Sequence, residues 1–237
     1  MITDLQRSRV IFIGEIHDQR AHHLLQLDVL TSLHRRTVPL AIGLEMFDME
    51  SQQALDRWVG GTMGLQEFGA RYRQNWTIDW TEYDSILLFA RNNGIPLIGL
   101  NPPADIVKMV ARNGWQSLPP TDKTRLPAGV NVSQNASYRE FLKDAFVDHA
   151  LPDAAFNAFS EAQALRNNTM ALLIRNYLTR NPGTTVVVVA GVGHAMRRAV
   201  AEPLAREGGI SSKVIVPMTE GIVEKLESSD ADYFVYP

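Results

Sequence analysis

The chain has no cysteine. Disulfides, thiolate zinc sites, iron–sulfur clusters and thiol nucleophiles are therefore excluded. The compartment is not, because a cysteine-free chain suits cytosol and periplasm alike. Nor is there an apolar run near the ~20 residues that span a bilayer; the longest, Val186 to Val192, is strand-length. Positive charge is not in excess: 23 Lys and Arg against 26 Asp and Glu give a net charge of −3. A duplex-binding protein would need a basic face, so no nucleic-acid partner is expected. There is no Walker sequence and no Gly-x-Ser-x-Gly elbow. Gly191-Val192-Gly193 lacks the third glycine of a dinucleotide loop. No signal segment is visible ahead of the first strand, so the expectation is a cytosolic protein or a mature or trimmed form.

What is present is an alternation of strands and helices. With 237 residues, 45% of them hydrophobic, the chain can bury one sizeable core. Short apolar runs at Val10–Ile13, Pro39–Leu44, Ile95–Leu100, Thr184–Ala190 and Lys213–Pro217 read as buried parallel strands, with a sixth at Tyr233–Tyr236. Between them lie helical patterns at His22–Arg36, Ser51–Trp58, Glu67–Tyr72, Glu82–Asn92, Ala104–Arg112, Tyr138–His149, Pro152–Arg180 and from His194 to about Glu207. Prolines and glycines between Trp115 and Asn135 mark a loop. This pattern predicts an α/β fold, a mostly parallel sheet with helices on both faces. The stretch 102–180 is long for one crossover and is expected to form an inserted helical lobe within a single domain.

In such sheets ligands sit outside the carboxyl ends of the strands. Three polar clusters fall there: Gly14-Glu15-Ile16-His17-Asp18, Gly43-Leu44-Glu45-Met46-Phe47 and Gly191-Val192-Gly193-His194. Glu15 and His17 are two apart and share a face of extended backbone. Glu45 and His194 join them only if their strands are neighbours. Glu15, His17, Glu45 and His194, with His22 as a further candidate, could bind a divalent metal that activates water. Alternatively, a His–Glu pair does acid–base work without metal, as in a hydrolase. The plainest reading is a polar plug that ties strand ends together. His22 and His23 are adjacent at a helix start and point about 100° apart, so one is expected to face the cluster and the other solvent.

In the helical stretch, Tyr138 is flanked by Arg139 and by Phe141, Leu142, Ala145 and Phe146. A phenolate among apolar groups, with a cation nearby, can ligate ferric haem iron; the spacing alone favours an ordinary half-buried tyrosine. His149 lies eleven positions on, ~16 Å along a straight helix, so it cannot reach the same iron within one chain.

The three strand-end motifs, with His22-His23-Leu24-Leu25-Gln26, Glu161-Ala162-Gln163 and Met170-Ala171, run in order over about residues 10–217. Together they resemble the ChaN family of haem-binding, iron-regulated proteins, in a wider group with the Tiki proteins and erythromycin esterases. The resemblance implies bacterial haem and iron uptake, a homodimer that holds haem between its protomers, and outer-membrane uptake components as partners. It implies iron ligation by Tyr138, with His149 and Lys143 toward the propionates. The site would then lie in the lobe, away from the carboxylate–imidazole nest. Two departures stand out. Asn167 and Asn168 precede the Met-Ala pair where the family commonly has an acidic residue, and there is no cysteine for a lipid anchor.

Overall fold

The computed structural model describes residues 1–146, 152–219 and 223–237. Six strands, β1 (Val10–Glu15), β2 (Leu40–Asp48), β3 (Leu97–Asn101), β4 (Thr185–Gly191), β5 (Ser212–Pro217) and β6 (Tyr233–Val235), form one sheet. The order is β3-β2-β4-β1-β5-β6, and every pairing is parallel. The helices among the described residues are α1 (Ile2–Leu5), α2 (Arg20–His34), α3 (Gln52–Val59), α4 (Leu65–Asn75), α5 (Trp80–Asn92), α6 (Ala104–Asn113), α7 (Pro120–Lys123), α8 (Ala136–Phe146), α9 (Asp153–Arg180), α10 (Val192–Ala195) and α11 (Glu202–Gly208). None is long and apolar enough to cross a membrane.

The strands are apolar on both faces because both faces are covered. On β1, Val10 and Phe12 enter one core with α8, α9 and α11, while Ile11 and Ile13 enter the other with α2, α3, α4 and α5. On β4, Val186, Val188 and Ala190 take the first side, Val187 and Val189 the second. This is the period of two expected of a pleated strand. It explains why four consecutive valines are needed where a one-sided strand would alternate.

Helix α9 is buried along most of its length. Its Phe156, Met170, Ile174 and Leu178 meet the sheet core, and its Ala162 and Leu165 meet a smaller cluster with Ile106, Val110, Leu118 and Leu126. A helix packed on two sides has no clean apolar stripe, which is why its sequence looks irregular. It runs unbroken through Asn167, Asn168 and Thr169, and Pro152 stands just ahead of it, where a missing N–H costs nothing.

Two local features depart from the sequence reading and both lie at the site. Strand β2 does not stop at Leu44; it runs to Asp48 through an irregularity in its pairing with β3 between Leu44 and Asp48. The expected helix after β4 is broken: α10 ends at Met196, which is extended, and Ala199 is non-helical before α11 begins. The β2 irregularity depends on close backbone approach. A Cβ on Gly99 would run into the carbonyl oxygen of Asp48, a backbone atom that cannot swing aside. Gly99→Ala is expected to lower stability by about 1–3 kcal/mol; a urea midpoint equal to wild type would contradict this.

Candidate functional site

Because β4 lies between β1 and β2, the three motifs end side by side. Glu15 closes β1, opposite Gly191 at the end of β4. Glu45 falls in the irregular part of β2. Both carboxylates are 2% exposed and so must find donors.

Glu15 is saturated. Its Oε1 accepts from the Tyr83 phenol and lies 2.8 Å from His17 Nδ1. Its Oε2 accepts from Gln26 Nε2 at 2.7 Å, with His23 Nε2 at 3.4 Å. Burial alone would raise this carboxyl, but the hydrogen bonds from His17 and His23 outweigh it and hold it at about 2. His17 is shifted upward: burial opposes its charge, and the Glu15 hydrogen bond and the Glu45 charge overcome that. Its ring stands edge-on to Trp76.

Glu45 is answered from the opposite side. Arg166 on α9 donates to Oε1 at 2.5 Å, and the Gly191 N–H donates to Oε2 at 2.7 Å. Asn101 at the end of β3 ties down the pair, accepting from Arg166 Nε at 2.9 Å and donating to the Glu45 carbonyl. Burial would raise the Glu45 carboxyl; the neighbouring His194 and Arg166 carry it below its usual value. His194 sits 3.7 Å from Glu45 Oε1 through Nε2 and 2.6 Å from Asn167 Oδ1 through Nδ1. The amide oxygen only accepts, so Nδ1 carries the proton and Nε2 keeps a lone pair. Burial, aided by the Arg166 charge, pushes His194 down to about 3, so it is neutral at pH 7.

Gly191 is the hinge of the arrangement. A Cβ there would stand 2.7 Å from His17 Cε1 and 3.6 Å from Glu45 Oε2. Only glycine lets the imidazole and the carboxylate close over the strand end. Above them opens a cleft of about 300 Å³, with Glu15, His17, Glu45, Gln163, Arg166 and His194 on its polar side. Tyr138, Phe141, Leu142, Ala145 and Phe159 form an apolar wall, and Lys225 also lines the cleft.

The structure thus brings Glu15, His17, Glu45 and His194 together. The expected divalent ion finds no support: among the described residues no three His, Asp or Glu side chains are arranged to hold one. The carboxylate oxygens are already taken by phenol, amide, imidazole and guanidinium donors. His22 has both ring nitrogens engaged. Its Nδ1 accepts from the Ile16 N–H at 2.9 Å, so its proton is on Nε2, which faces Thr219 Oγ1 at 2.8 Å. It pins the β1–α2 turn to the end of β5. Both His22 and His23 are buried, so the expectation that one meets solvent fails.

Tyr138 is not apart from the nest but lines the same cleft. It is 1% exposed and its hydroxyl donates to the Gly193 carbonyl at 2.9 Å. Burial raises the phenol, keeping it protonated. Lys143 is exposed and is not among the cleft-lining residues. His149 lies outside the described residues.

The profile of the family described as haem-binding uptake, Tiki superfamily, ChaN matches residues 1–203. The chain belongs to the ChaN family. Its fold matches the structure described as cofacial heme binding to ChaN of Campylobacter jejuni, with a TM-score of 0.77 and 17% identity over 99% of this chain and 89% of that one. It is also similar to a histidine mutant of the erythromycin esterase EreC in its open conformation, with a TM-score of 0.56 and 16% identity over 91% and 71% of the two chains. Among curated proteins, the chloroplastic Protein RETICULATA-RELATED 5 of Arabidopsis thaliana is 23% identical over 221 residues. Those cover 90% of this ChaN-family chain but only 27% of the plant protein.

Several members of the site escaped the sequence reading: Tyr83, Gln26, Arg166, Asn101 and, as a partner of His194, Asn167. One signal was available. Gln163, Arg166 and Asn167 stand at i, i+3 and i+4, which puts three polar groups on one face of an otherwise buried helix.

The nest is expected to make this ChaN-family protein acid-sensitive. Glu15, held at about 2, contributes stability above its ordinary value of 4.5 that is lost as pH falls toward 2. His194 resists protonation in the fold, so the unfolded state gains protons first and stability falls from pH 6.5 downward to about 3. His194→Gln is expected to flatten the upper part of this decline and leave the lower part. Urea midpoints between pH 7 and 3 test it, and an unchanged slope above pH 4.5 would refute the His194 assignment.

Proposed function

We propose that this protein binds haem in the cleft above β1, β4 and β2, as part of bacterial haem handling. Membership of the ChaN family across residues 1–203 carries the reading. The cleft suits the group: a haem has a flat apolar ring, an iron at its centre and carboxylates at one edge. Phe141, Leu142, Ala145 and Phe159 offer an apolar face, the imidazoles of His17 and His194 line the same cleft, and Lys225 has no ion-pair partner among the described residues. When bound, haem supplies the iron centre of the complex; the residues here hold, orient and shield it. A cleft of about 300 Å³ covers only part of a porphyrin. We therefore propose a second copy of the chain as the other wall, making the haem complex a homodimer. The outer-membrane uptake components implied by the resemblance would act on that complex.

Tyr138 is the iron ligand that the resemblance implies. To serve, its phenol must release Gly193 and lose the proton that burial stabilises. Ferric hemin added at stoichiometric amounts is expected to shift the Soret band and to double the apparent mass in size-exclusion chromatography. Ala145→Asp, which puts a charge on the apolar wall, should weaken hemin binding by about tenfold or more, ~1.4 kcal/mol. Wild-type protein that leaves the hemin spectrum unchanged would end the proposal.

A second reading, an ester or peptide hydrolase, is favoured by one observation: His17 and His194 are pushed in opposite directions. That split defines an acid and a base. His194 Nε2 would take a proton from water, the hydroxide would add to a carbonyl carbon, and His17 would protonate the leaving group. Activity should then rise above about pH 3 as His194 frees its lone pair and fall as pH passes the raised value of His17. His194→Ala should cost about 10²–10⁴ in rate. A screen of acyl esters and peptides with no turnover above the His194→Ala background would remove this reading.

A further inference from the structure

Behind the apolar wall of the cleft, three buried polar atoms have no hydrogen-bond partner among the described residues: Nε of Arg198, Oδ1 of Asn168 and Oε1 of Gln134. The rest of each side chain is committed elsewhere. Arg198 turns its terminal nitrogens to Glu227 and Asp230, at 2.9 and 2.8 Å. Asn168 Nδ2 donates to the Ser133 and Ala164 carbonyls, both at 2.8 Å, which settles which amide atom is left over. Gln134 Nε2 donates to Ser160 Oγ at 2.6 Å. All three side chains line one cavity of about 10 Å³, with Asn135, Tyr138 and Asn167 beside them.

We infer that this cavity is a binding site for a single water molecule, held by Arg198 Nε, Asn168 Oδ1 and Gln134 Oε1. The chemistry of the three atoms selects the ligand. The guanidinium N–H needs an acceptor, and the two amide oxygens need donors. Water supplies one acceptor and two donors, and about three partners is what a buried water ordinarily has. A cation would meet the Arg198 charge, and an anion would meet two amide oxygens. A cavity of about 10 Å³ admits one water and nothing larger. Buried polar atoms left unpaired would each carry their full desolvation cost. The water joins three parts of the chain: the segment 133–135, α9, and the broken stretch between α10 and α11. Asn135 in that segment starts α8, its Oδ1 accepting from the Tyr138 N–H at 2.7 Å, and its Nδ2 donates to the Arg198 carbonyl at 3.1 Å. The Arg198 guanidinium in turn stands 5.3 Å from the centre of the Phe141 ring. Tyr138 and Phe141 line the cleft, so the water backs the wall against which a ligand would lie. This holds whichever ligand the cleft takes.

The test is a high-resolution crystal structure of the full chain, joined to nitrogen-edited water–protein cross-relaxation of the Arg198 side chain in solution. A single density peak is expected within about 3.2 Å of all three atoms. The Arg198 Nε–H is expected to show a cross-peak to water with the sign of a long-lived bound molecule. Gln134→Glu keeps an acceptor oxygen and should keep both signals. Ser160→Ala, which removes only the partner of Gln134 Nε2, should also keep them. Gln134→Met, similar in length but without a polar end, should lose both, and the Tyr138 amide should exchange about tenfold faster as the joint loosens. A wild-type map in which Arg198 Nε bonds Asn168 or Gln134 directly, with no peak between them, would overturn the inference. So would a water cross-peak that Gln134→Met leaves unchanged.

Discussion

Two carboxylates buried at the ends of neighbouring strands determine the rest of this site. An ionised carboxylate at 2% exposure is untenable alone. Glu15 draws a phenol from α5, an amide and an imidazole from α2, and His17 from its own turn. Glu45 draws a guanidinium from α9 and a backbone N–H from β4. Helices from both faces of the sheet are thereby tied to its carboxyl edge. The nest is both the site and a clamp between layers, which is why its protonation and the stability of the fold move together.

The clamp imposes close approach, and close approach imposes glycine. Gly191 lets His17 and Glu45 meet over the end of β4, and Gly99 lets the irregular end of β2 press against β3. That irregularity positions Glu45 where Arg166 can reach it. Neither glycine adopts a positive φ, so their value lies in the missing side chain and not in backbone freedom.

Sequence alone made much of this legible, for a physical reason. The strands are continuous β-branched runs because both faces are buried, and such runs are hard to mistake. Glu15, His17, Glu45 and His194 announce themselves because charged and imidazole groups directly after buried strands need a purpose. What it hid were the partners. Arg166 lies within a 28-residue helix, and nothing adjacent in the chain says that its head meets Glu45, 121 positions away. Tyr83 looks like any core aromatic until its hydroxyl is found on Glu15. The position of Tyr138 was misjudged for a related reason: helical spacing gives the face of α8 but not the element that face meets, which is the short helix α10 after β4.

Sequence spacing suggested haem in a helical lobe and a separate polar site at the sheet, two places for two functions. The geometry merges them into one cleft, which His17 and Tyr138 both line. The two proposed occupants would compete for the same lining residues, so each excludes the other molecule by molecule. Phe141, Leu142, Ala145 and Phe159 give that cleft its apolar wall, and the proposed haem reading rests on this wall together with the family match.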